Sequence, residues 1–587
     1  MNTLRTLSLL LILVSTTQAQ ITSFLSVAGR DVVNDQNEVV KLRGINMDGY
    51  FWAWDWDQNL HNDYADASDI RFLDSLGANA IRLCLNYNYF ATNDGFDYID
   101  RYLTWCDTVG IYVLLDMHVV PQGNGIFTNP AAQQQLIDIW QGIAERYAAR
   151  EVVLGYDLMN EPWPGDSALW YTYANRLIDS IRVIDPGHII MVENTLDGEL
   201  FEVINEPNIL YSYHDYSPFA VTHAAADWVG DTPMPADYGY PGDVLSGTEW
   251  LTYSEDQPYW TTSRATWQPW DSGNLIVPAG ADFAYAKPNV YGNVGDVYYD
   301  DMTASRNGVA HAVYNGGAEQ ESSSQSGQPA VWSFYTSGSH SGAWSTLAHS
   351  GSRSLRISGT QDGWGVWGQG GWVLTTPFLR VSGGDTLRVT GYMRAPGING
   401  GGASLGFDYM SGIFEHYDRQ HLRDDIERYV SWSAAHTLPI WCGEFGCMSA
   451  APDSSQENLV RDKIAVMNEA GLGWAMWSYR APQPPSFTLF YDDSVDVPLT
   501  RVIADGFAGA TWPNAIQDLT IAHEGADVLL AWSALPGAAS YTIYASPVYS
   551  LDLNAYTIIG NSVTSGFRHV NGLGPAMQFY LVTAHYE

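Results

Sequence analysis

Short apolar runs alternate with amphipathic helical segments from Val39 to about residue 213. Strands of this kind between helices of about 10–15 residues indicate βαβ units and a parallel sheet. The six predicted strands are Lys41–Met47, Ala80–Leu85, Tyr112–Met117, Val152–Met159, Ile189–Glu193 and Ile209–Tyr213. The predicted helices are Ala67–Leu76, Tyr98–Val109, Ala131–Ala149 and Ser167–Ile184.

The pattern changes between about Asp237 and Tyr409, where no convincing amphipathic helix is found. This stretch is rich in Gly, Ser, Thr, Tyr and Trp, and Gly-rich turns separate strand-like runs such as Thr386–Met393. Such a pattern is typical of an all-β sandwich. Helical periodicity resumes near Arg419, and the later elements are predicted as a strand at Pro439–Gly443, a helix at Gln456–Ala470 and a strand at Gly473–Ser478.

Six strands before the break and two after it add up to an α/β fold, a (β/α)₈ TIM barrel interrupted after its sixth strand. We assign residues 20–240 and 411–512 to the barrel and residues 241–410 to the inserted β-sandwich. Residues 513–587 form a third unit. In this unit, alternation of Val528, Leu530 and Trp532 predicts a half-buried strand and a small immunoglobulin-like sandwich.

The net charge narrows the range of partners. The chain has 27 Lys and Arg against 65 Asp and Glu, a formal net charge of −38. Such a surface repels phosphate backbones and anionic lipid, so neither nucleic acid nor a membrane surface is an expected partner. The 23 Trp and 36 Tyr suit flat ligands with apolar faces and hydroxyl rims, such as sugars. The alternative is that large β domains use Trp to fill their cores.

The amino-terminal residues resemble an export signal. Arg5 precedes an apolar run from Leu7 to Val14, and Thr17-Gln18-Ala19 fits a cleavage site, so residues 1–19 are predicted as a signal peptide. No later apolar run is long enough for a membrane span. We therefore expect a secreted protein, extracellular or periplasmic. The four cysteines are either buried thiols or include a bridge, and the sequence does not choose between these.

Functional side chains of such barrels lie at the carboxyl ends of the strands. Polar or aromatic residues follow six of the eight predicted strands. They are Arg82, His118, Asn160 with Glu161, His214 with Tyr216, Glu444 and Trp477. Trp52, Trp54 and Trp56 follow the first strand, and they are interpreted as platforms for sugar rings or as loop packing.

The segments DLMNEPWPGD, YSYHDYSP and PIWCGEFG resemble glycoside hydrolase family 5, the cellulase-like retaining glycosidases. The resemblance covers about residues 38–230 and 411–485. It implies that Glu161 is the acid/base and Glu444 the nucleophile. It also implies a supporting set of active-site residues: Arg82, His118, Asn160, His214, Tyr216 and Trp477.

The chemistry is consistent with these residue types. Cleavage with retention needs two carboxyl groups about 5–5.5 Å apart in different protonation states. Arg82 and Tyr216 can hydrogen-bond Glu444 and keep it ionised. Asn160 can hold the 2-hydroxyl of the sugar, His118 and His214 can orient the sugar and the acid/base, and Trp477 offers a flat platform. No His, Asp and Glu cluster has metal-ligand spacing, so neither metal nor cofactor is expected.

The insert contains NVGDVYYDDMTAS and NGGAE, which resemble β-jelly-roll carbohydrate-binding modules in a permuted order. The resemblance implies glycan binding, and the alternative is a structural sandwich that shapes the cleft. Asp300 and Asp301 are candidates for a calcium ion or ordinary surface acids. The tail resembles a fibronectin type III domain, which implies a spacer or a surface-binding module.

Together these features predict a secreted, monomeric endo-β-1,4-glucanase acting on β-linked polysaccharide or oligosaccharide. A β-mannanase, a β-1,3-glucanase and an exo-acting β-glucosidase are alternatives of the same family. A non-catalytic glycan-binding protein is an alternative of another class, for which loss of one carboxylate would be expected, and both are present here. The sugar, the linkage and endo or exo action stay open.

Overall fold

The computed structural model describes residues 21–47, 65–196, 198–369, 379–481, 484–491, 494–511, 519–524, 527–532, 538–546, 557–570 and 579–586. The predicted signal peptide and Trp52, Trp54 and Trp56 lie outside these residues. The chain divides into two compact units, which are described separately. The first is Met1–Tyr216 with Leu422–Gly446 and Leu459–Glu587, and the second is Ser217–His421 with Cys447–Asn458.

Eight parallel strands close into a barrel in the first unit, which confirms the predicted barrel. In chain order they are β1 (Arg43–Met47), β2 (Ala80–Asn86), β3 (Tyr112–Val119), β4 (Val153–Asp157), β5 (Ile189–Glu193), β6 (Ile209–Asp215), β7 (Ile440–Phe445) and β8 (Gly473–Met476). The strands β2, β4, β5, β7 and β8 are buried throughout, and β3 is buried except for Tyr112, because both faces of a parallel barrel strand are covered. A two-stranded hairpin, Ser26–Ala28 with Asp31–Val33, precedes them.

Helices and short 3₁₀ turns connect the strands. The helices are Ala67–Leu76, Asp94–Asp107, Pro130–Tyr147, Ser167–Arg182, Phe219–Thr222, Arg419–His436, Ser455–Glu469 and Val497–Phe507, and the 3₁₀ turns are Tyr87–Ala91 and Gly123–Thr128.

The helix Ala67–Leu76 has the predicted bounds because both of its ends carry local signals. Asp66 and Asp69 form a capping box at its start, and Gly77 ends it in the left-handed conformation with φ of 96°. The other helices differ from prediction by a few residues, as in Asp94–Asp107, which begins before the predicted Tyr98. Such differences are ordinary at helix ends.

Apolar side chains fill the amino-terminal half of the barrel. The cluster includes Leu114, Leu154, Met191, Leu210 and Trp441, each no more than 2% exposed. Polar side chains, by contrast, are buried further along the same strands, where the candidate site lies.

The described residues between β6 and β7 contain two antiparallel sheets and, between residues 223 and 418, no helix. The seven-stranded sheet consists of Arg264–Asp271, Leu275–Ile276, Gly295–Arg306, Val309–Ala312, Ser341–Ser345, Ser354–Gly359 and Thr386–Ala395. The six-stranded sheet consists of Gly242–Tyr253, Phe283–Tyr291, Trp332–Gly338, Gly363–Gln369, Leu379–Arg380 and Gly402–Tyr417. The last of these strands continues past residue 410, where the sequence pattern placed the end of the insert.

One apolar core lies within these two sheets. It includes Val297, Leu355, Trp367, Leu405 and Phe407, all 2% exposed or less. The additional all-β part that the sequence predicted is therefore present.

The described part of the carboxyl-terminal region forms two three-stranded antiparallel sheets. One consists of Thr520–Glu524, Asp527–Ala531 and Gly566–His569, and the other of Thr557–Ser562, Ala538–Ser546 and Phe579–Tyr586. Val528, Leu530 and Trp532 are buried in their core, as their alternation predicts. A small sheet of Arg480–Ala481, Phe490–Tyr491 and Ser494–Val495 follows β8.

Two further predictions concern the cysteines and the membrane. All four cysteines are buried thiols. Among the helices that the structure describes, none combines the length and the apolar character needed to cross a bilayer.

Candidate active site

The barrel brings seven of the predicted site residues to the carboxyl ends of its strands or into the loops that follow them. Arg82 lies on β2, His118 on β3, His214 on β6 and Glu444 on β7. Tyr216 follows β6 directly, and Asn160 and Glu161 lie in the loop after β4. Trp477 comes directly after β8 and stacks on His118, with ring centroids 5.1 Å apart. Trp54, the remaining predicted residue, lies outside the described residues.

Arg82 is completely buried and contacts side chains on five other strands of the barrel. Its guanidinium donates to Glu444 Oε1 at 2.8 Å, to Asn160 Oδ1 at 2.9 Å and to Asp157 Oδ2 at 2.8 Å. Burial lowers the pKa of Arg82, but the carboxylates around it outweigh burial and raise that pKa well above its ordinary value. A permanently charged fork therefore holds the nucleophile candidate and Asn160 in one orientation.

Glu444 makes the contacts that the sequence predicts. Its Oε1 accepts from Arg82, and its Oε2 accepts from the Tyr216 hydroxyl at 2.9 Å. Burial nevertheless raises the pKa of Glu444 above its usual range, and the opposing effects of His214 and Arg82 do not cancel that rise. The Glu444 side chain is only 5% exposed, which the sequence pattern does not reveal.

Glu161 lies at a strained position beside His214. Its φ of 45° is in the left-handed region, which a side chain with a Cβ rarely adopts. The His214 Nδ1 atom is 2.9 Å from Glu161 Oε1. Burial raises the pKa of Glu161, but the hydrogen bond and charge of His214 outweigh burial and leave that pKa below its usual value.

The two glutamates lie close together. One carboxylate oxygen of Glu161 and one of Glu444 are within 4.8 Å of each other, and both are within that distance of a His214 ring nitrogen. Such a close approach is compatible with a retaining pair, whose two carboxyl groups lie about 5–5.5 Å apart.

His214 contacts three carboxylates. Nδ1 lies 2.9 Å from Glu161 Oε1 and 3.6 Å from Glu444 Oε2, and Nε2 lies 3.2 Å from Glu193 Oε1. Burial lowers the pKa of His214, but these negative charges raise it well above its ordinary value. The charges around His214 thus favour its protonated form, while the pKa of the neighbouring Glu161 is lowered.

Four polar residues around Arg82 were not among the residues predicted from the strand ends. They are Asn46, Asp116, Asp157 and Glu193, and each is 2% exposed or less. Asn46 accepts from Arg82 Nη1 at 3.1 Å, and Asp116 Oδ2 is 2.7 Å from His118 Nδ1. A partial signal exists in the sequence, since Asn46, Asp116 and Asp157 lie inside predicted apolar strands, whereas Glu193 ends one. Buried polar residues of this kind need partners.

Glycine at position 443 makes room for His214. A Cβ atom there would lie 2.5 Å from Ser212 Oγ and 3.0 Å from His214 Nε2. The glycine before Glu444 therefore lets the imidazole pack against β7, next to the nucleophile candidate.

Two clusters in the described part of the chain have the spacing of metal ligands, although the sequence predicted none. They are Cys84 with Asp116 and His118, and Glu161 with His214 and Glu444. Their members are far apart in sequence, so linear spacing could not reveal them. Arg82 lies 3.0 Å from Asp116 and 2.8 Å from Glu444, and its positive charge disfavours a cation at either cluster.

Comparison with known proteins relates this barrel to cellulases. Residues 33–254 match the family model described as cellulase, glycosyl hydrolase family 5. Endoglucanase C of Acetivibrio thermocellus is 28% identical over 206 residues, which cover 32% of this chain and 60% of that protein. Cellodextrinase A of Ruminococcus flavefaciens is 27% identical over 215 residues, covering 32% of this chain and 62% of that protein.

A solved endoglucanase structure aligns with a TM-score of 0.43 and 12% identity, over 79% of this chain and 96% of that chain. The chain thus spans about three fifths of the length of the curated relatives it matches. Residues 33–254 are thus similar to the cellulase domain of glycosyl hydrolase family 5.

Proposed function

We propose that the chain is a secreted retaining β-glycosidase that cleaves β-1,4-linked glucan internally, as an endoglucanase. The observation that carries the proposal is the approach of the Glu161 and Glu444 carboxylates to within 4.8 Å. The family match supports the glycosidase class, and the name of Endoglucanase C suggests the substrate. Secretion rests on the predicted signal peptide alone.

The geometry fits a double displacement. Glu444, oriented by Arg82 and Tyr216, attacks the anomeric carbon, and the glycosidic C–O bond breaks as Glu161 protonates the leaving oxygen. Water then attacks the glycosyl ester. Glu161 accepts a proton from this water, and the bond between the sugar and Glu444 breaks. Asn160, held by Arg82, is placed for the 2-hydroxyl, and Trp477 stacked on His118 offers its ring to the sugar.

Replacing either glutamate tests the mechanism. We expect Glu161→Gln and Glu444→Gln each to lower kcat on a soluble β-1,4-glucan by at least about 100-fold, because each removes one chemical step. Reducing-end release is the measurement, and the melting temperature of each variant controls for folding. Wild-type rates in either variant would overturn the mechanism.

Product analysis with the wild-type protein tests the proposed substrate. We expect rapid loss of viscosity and a mixture of oligosaccharides from β-1,4-glucan, and slower release from mannan and β-1,3-glucan. Release of single sugars from chain ends would favour exo action instead. The name of Cellodextrinase A makes short β-1,4-linked oligosaccharides the second substrate to compare. Binding without any cleavage would indicate a glycan-binding protein.

We further propose that the inserted sheets bind the same glycan. Register places Tyr291 opposite Trp364 and Asp408 opposite Tyr253, so these side chains share the outer face of the six-stranded sheet. On this face, the aromatic side chains of Trp250, Tyr253, Tyr291, Tyr335 and Trp364 are each between 41% and 56% exposed. Such a row of rings suits the apolar faces of β-linked glucose.

Polar side chains on the same face are tied to each other. Lys287 Nζ lies 2.8 Å from Asp408 Oδ1 and 4.4 Å from the centre of the Tyr253 ring. Tyr285 donates to Asp408 Oδ2 at 3.1 Å. These contacts hold the Tyr253 platform in place and leave its outer side to solvent.

The binding test uses the full chain carrying Glu444→Gln, so that the glycan is not consumed. We expect Trp250→Ala combined with Trp364→Ala to weaken binding to cellulose by about 10-fold or more, since each stacking ring contributes about 1 kcal/mol. Trp228→Ala, which removes a 58% exposed tryptophan outside this sheet, is the matched control. Equal binding by the two proteins would show that the face is structural only.

A further inference from the structure

Glu193 is a buried carboxylate at the end of β5 that accepts two hydrogen bonds and contacts the His214 imidazole. Its Oε1 accepts from Arg82 Nη2 at 2.7 Å and lies 3.2 Å from His214 Nε2. Its Oε2 accepts from the backbone N–H of Glu161 at 2.7 Å. The side chain is only 2% exposed, so it acts on the reaction through its neighbours rather than on the sugar.

Each of the three groups that Glu193 contacts acts on one of the two proposed catalytic glutamates. Arg82 holds Glu444, the nucleophile candidate, at 2.8 Å. His214 holds the side chain of Glu161 at 2.9 Å. The third group is the peptide N–H of Glu161 itself. One carboxylate thus connects both catalytic glutamates through independent contacts.

The contact with the Glu161 peptide group matters because that residue is strained. A left-handed φ of 45° costs on the order of 1 kcal/mol or more for a residue with a Cβ and persists only when its surroundings hold it. The backbone of Glu193 is itself held, since the Trp170 indole donates to the backbone carbonyl of Glu193 at 2.9 Å. The fixed carboxylate therefore fixes the direction in which the Glu161 side chain leaves the backbone.

Glu193 also sets the charge of His214. Burial drives the pKa of Glu193 up, but the charge and hydrogen bond of His214 and the charge of Arg82 bring it down to about 2, so the group is ionised. Of the charges that keep His214 protonated against burial, that of Glu193 is the largest. The imidazolium proton lies between Nδ1 and Glu161 Oε1 at 2.9 Å.

We propose that Glu193 is a positioning residue that both aims Glu161 and keeps a transferable proton on His214 beside it. This inference rests on the proposed function. The proton moves from His214 Nδ1 to Glu161 Oε1, leaving a neutral imidazole and a neutral carboxyl group. Glu161 then gives it to the departing glycosidic oxygen as the C–O bond breaks. In the second step the water proton returns to Glu161 and from there to His214.

Glu193→Gln separates this role from a purely structural one. An amide of the same shape has one acceptor oxygen and presents N–H₂ to donors, so it can satisfy only part of the set formed by Arg82, His214 and the Glu161 peptide. It also removes the negative charge beside His214. Protonation of the leaving oxygen should therefore slow more than attack by Glu444, because Glu444 keeps its contacts with Arg82 and Tyr216.

The experiment compares two aryl β-cellobiosides under conditions where the first chemical step limits kcat/KM. The 2,4-dinitrophenyl substrate departs without protonation, whereas the phenyl substrate needs it. For Glu193→Gln we expect kcat/KM to fall about 100-fold on the phenyl substrate and less than about 10-fold on the dinitrophenyl substrate. Glu193→Asp, which keeps the charge but shortens the side chain, should fall in between.

Asp185→Asn is the matched control, because it removes a buried carboxylate that binds a histidine at the amino end of the same strand. Asp185 Oδ2 lies 2.5 Å from His188 Nδ1 and 2.6 Å from the Tyr156 hydroxyl. We expect a lower melting temperature for this variant with equal effects on both substrates.

Equal losses on both substrates in Glu193→Gln and Glu193→Asp, or no loss, would overturn the inference. If Glu193→Gln does not fold, the same comparison in Glu193→Asp decides. A wild-type protein that cleaves neither substrate nor any soluble glucan would instead contradict the proposed function.

Discussion

At the residue scale, the two glutamates differ in the direction of their pKa shifts, while the negative charges around His214 raise its pKa and favour its protonated form. The contacts of Glu444 with Arg82 and Tyr216 would favour an anion, yet complete burial still raises the pKa of Glu444. Glu161, a third of whose side chain is exposed, has the lower pKa because it lies beside the imidazolium. A substrate that covers Glu161 removes its water and thereby favours transfer of the proton to it.

This arrangement predicts the acid side of the pH profile. The nucleophile must be ionised, and its pKa lies above the ordinary value of 4.5. The charged groups that face Glu444 are Arg82, His214, Glu161 and His118. On the 2,4-dinitrophenyl substrate, we expect kcat/KM to fall as the pH drops, with its half-maximal point above pH 4.5.

The control for that profile is enzyme stability at each pH, measured by returning samples to neutral pH before assay. A half-maximal point at or below pH 4.5, with the protein intact, would show that Arg82 and Tyr216 outweigh burial after all.

At the element scale, the strand ends explain why most of the site was predictable. A parallel barrel brings all carboxyl ends of its strands to one rim, so Arg82, Glu161 and Glu444 could be expected to meet although they are far apart in sequence. Helix bounds were predictable where caps are local, as for Ala67–Leu76.

Glu193 was not predicted although β5 was assigned with correct bounds. A glutamate that ends an apolar strand is usually exposed, and only the closed barrel shows that this one points at Arg82 and His214. The pKa order of the glutamates was also beyond the sequence, because burial is a property of the assembled site. The requirement for glycine at position 443 was also not predictable. It arises because a Cβ atom there would clash with His214 on the neighbouring strand.

At the scale of the whole molecule, the buried carboxylates predict acid sensitivity. The folded pKa of Glu193 is about 2 against an ordinary 4.5, so the unfolded chain binds more protons between these values. Stability from this group is complete above about pH 4.5 and is lost as the pH falls toward 2. Burial raises the pKa of Asp157 well above 3.8, so this group binds more protons in the folded state and opposes the loss of stability between about pH 4.5 and pH 3.8.

We therefore expect the urea midpoint of the barrel transition to fall steeply from pH 4.5 to pH 2.5. In Glu193→Gln the fall should be shallower, although that variant is less stable at neutral pH. Intrinsic fluorescence reports the transition, and Asp185→Asn is compared because the pKa of Asp185 is also lowered. Parallel pH dependences in the wild type and Glu193→Gln would contradict this assignment.

The chain order of the barrel has a consequence for biosynthesis. Strands β1 to β6 carry Glu161 and His214, but Glu444 follows only after the strands between Gly242 and Tyr417. A chain emerging from the ribosome thus holds the proton donor long before the nucleophile, and its last barrel strands must close a long loop. A nascent or truncated chain that stops before β7 lacks Glu444, so under the proposed mechanism it cannot form the glycosyl ester.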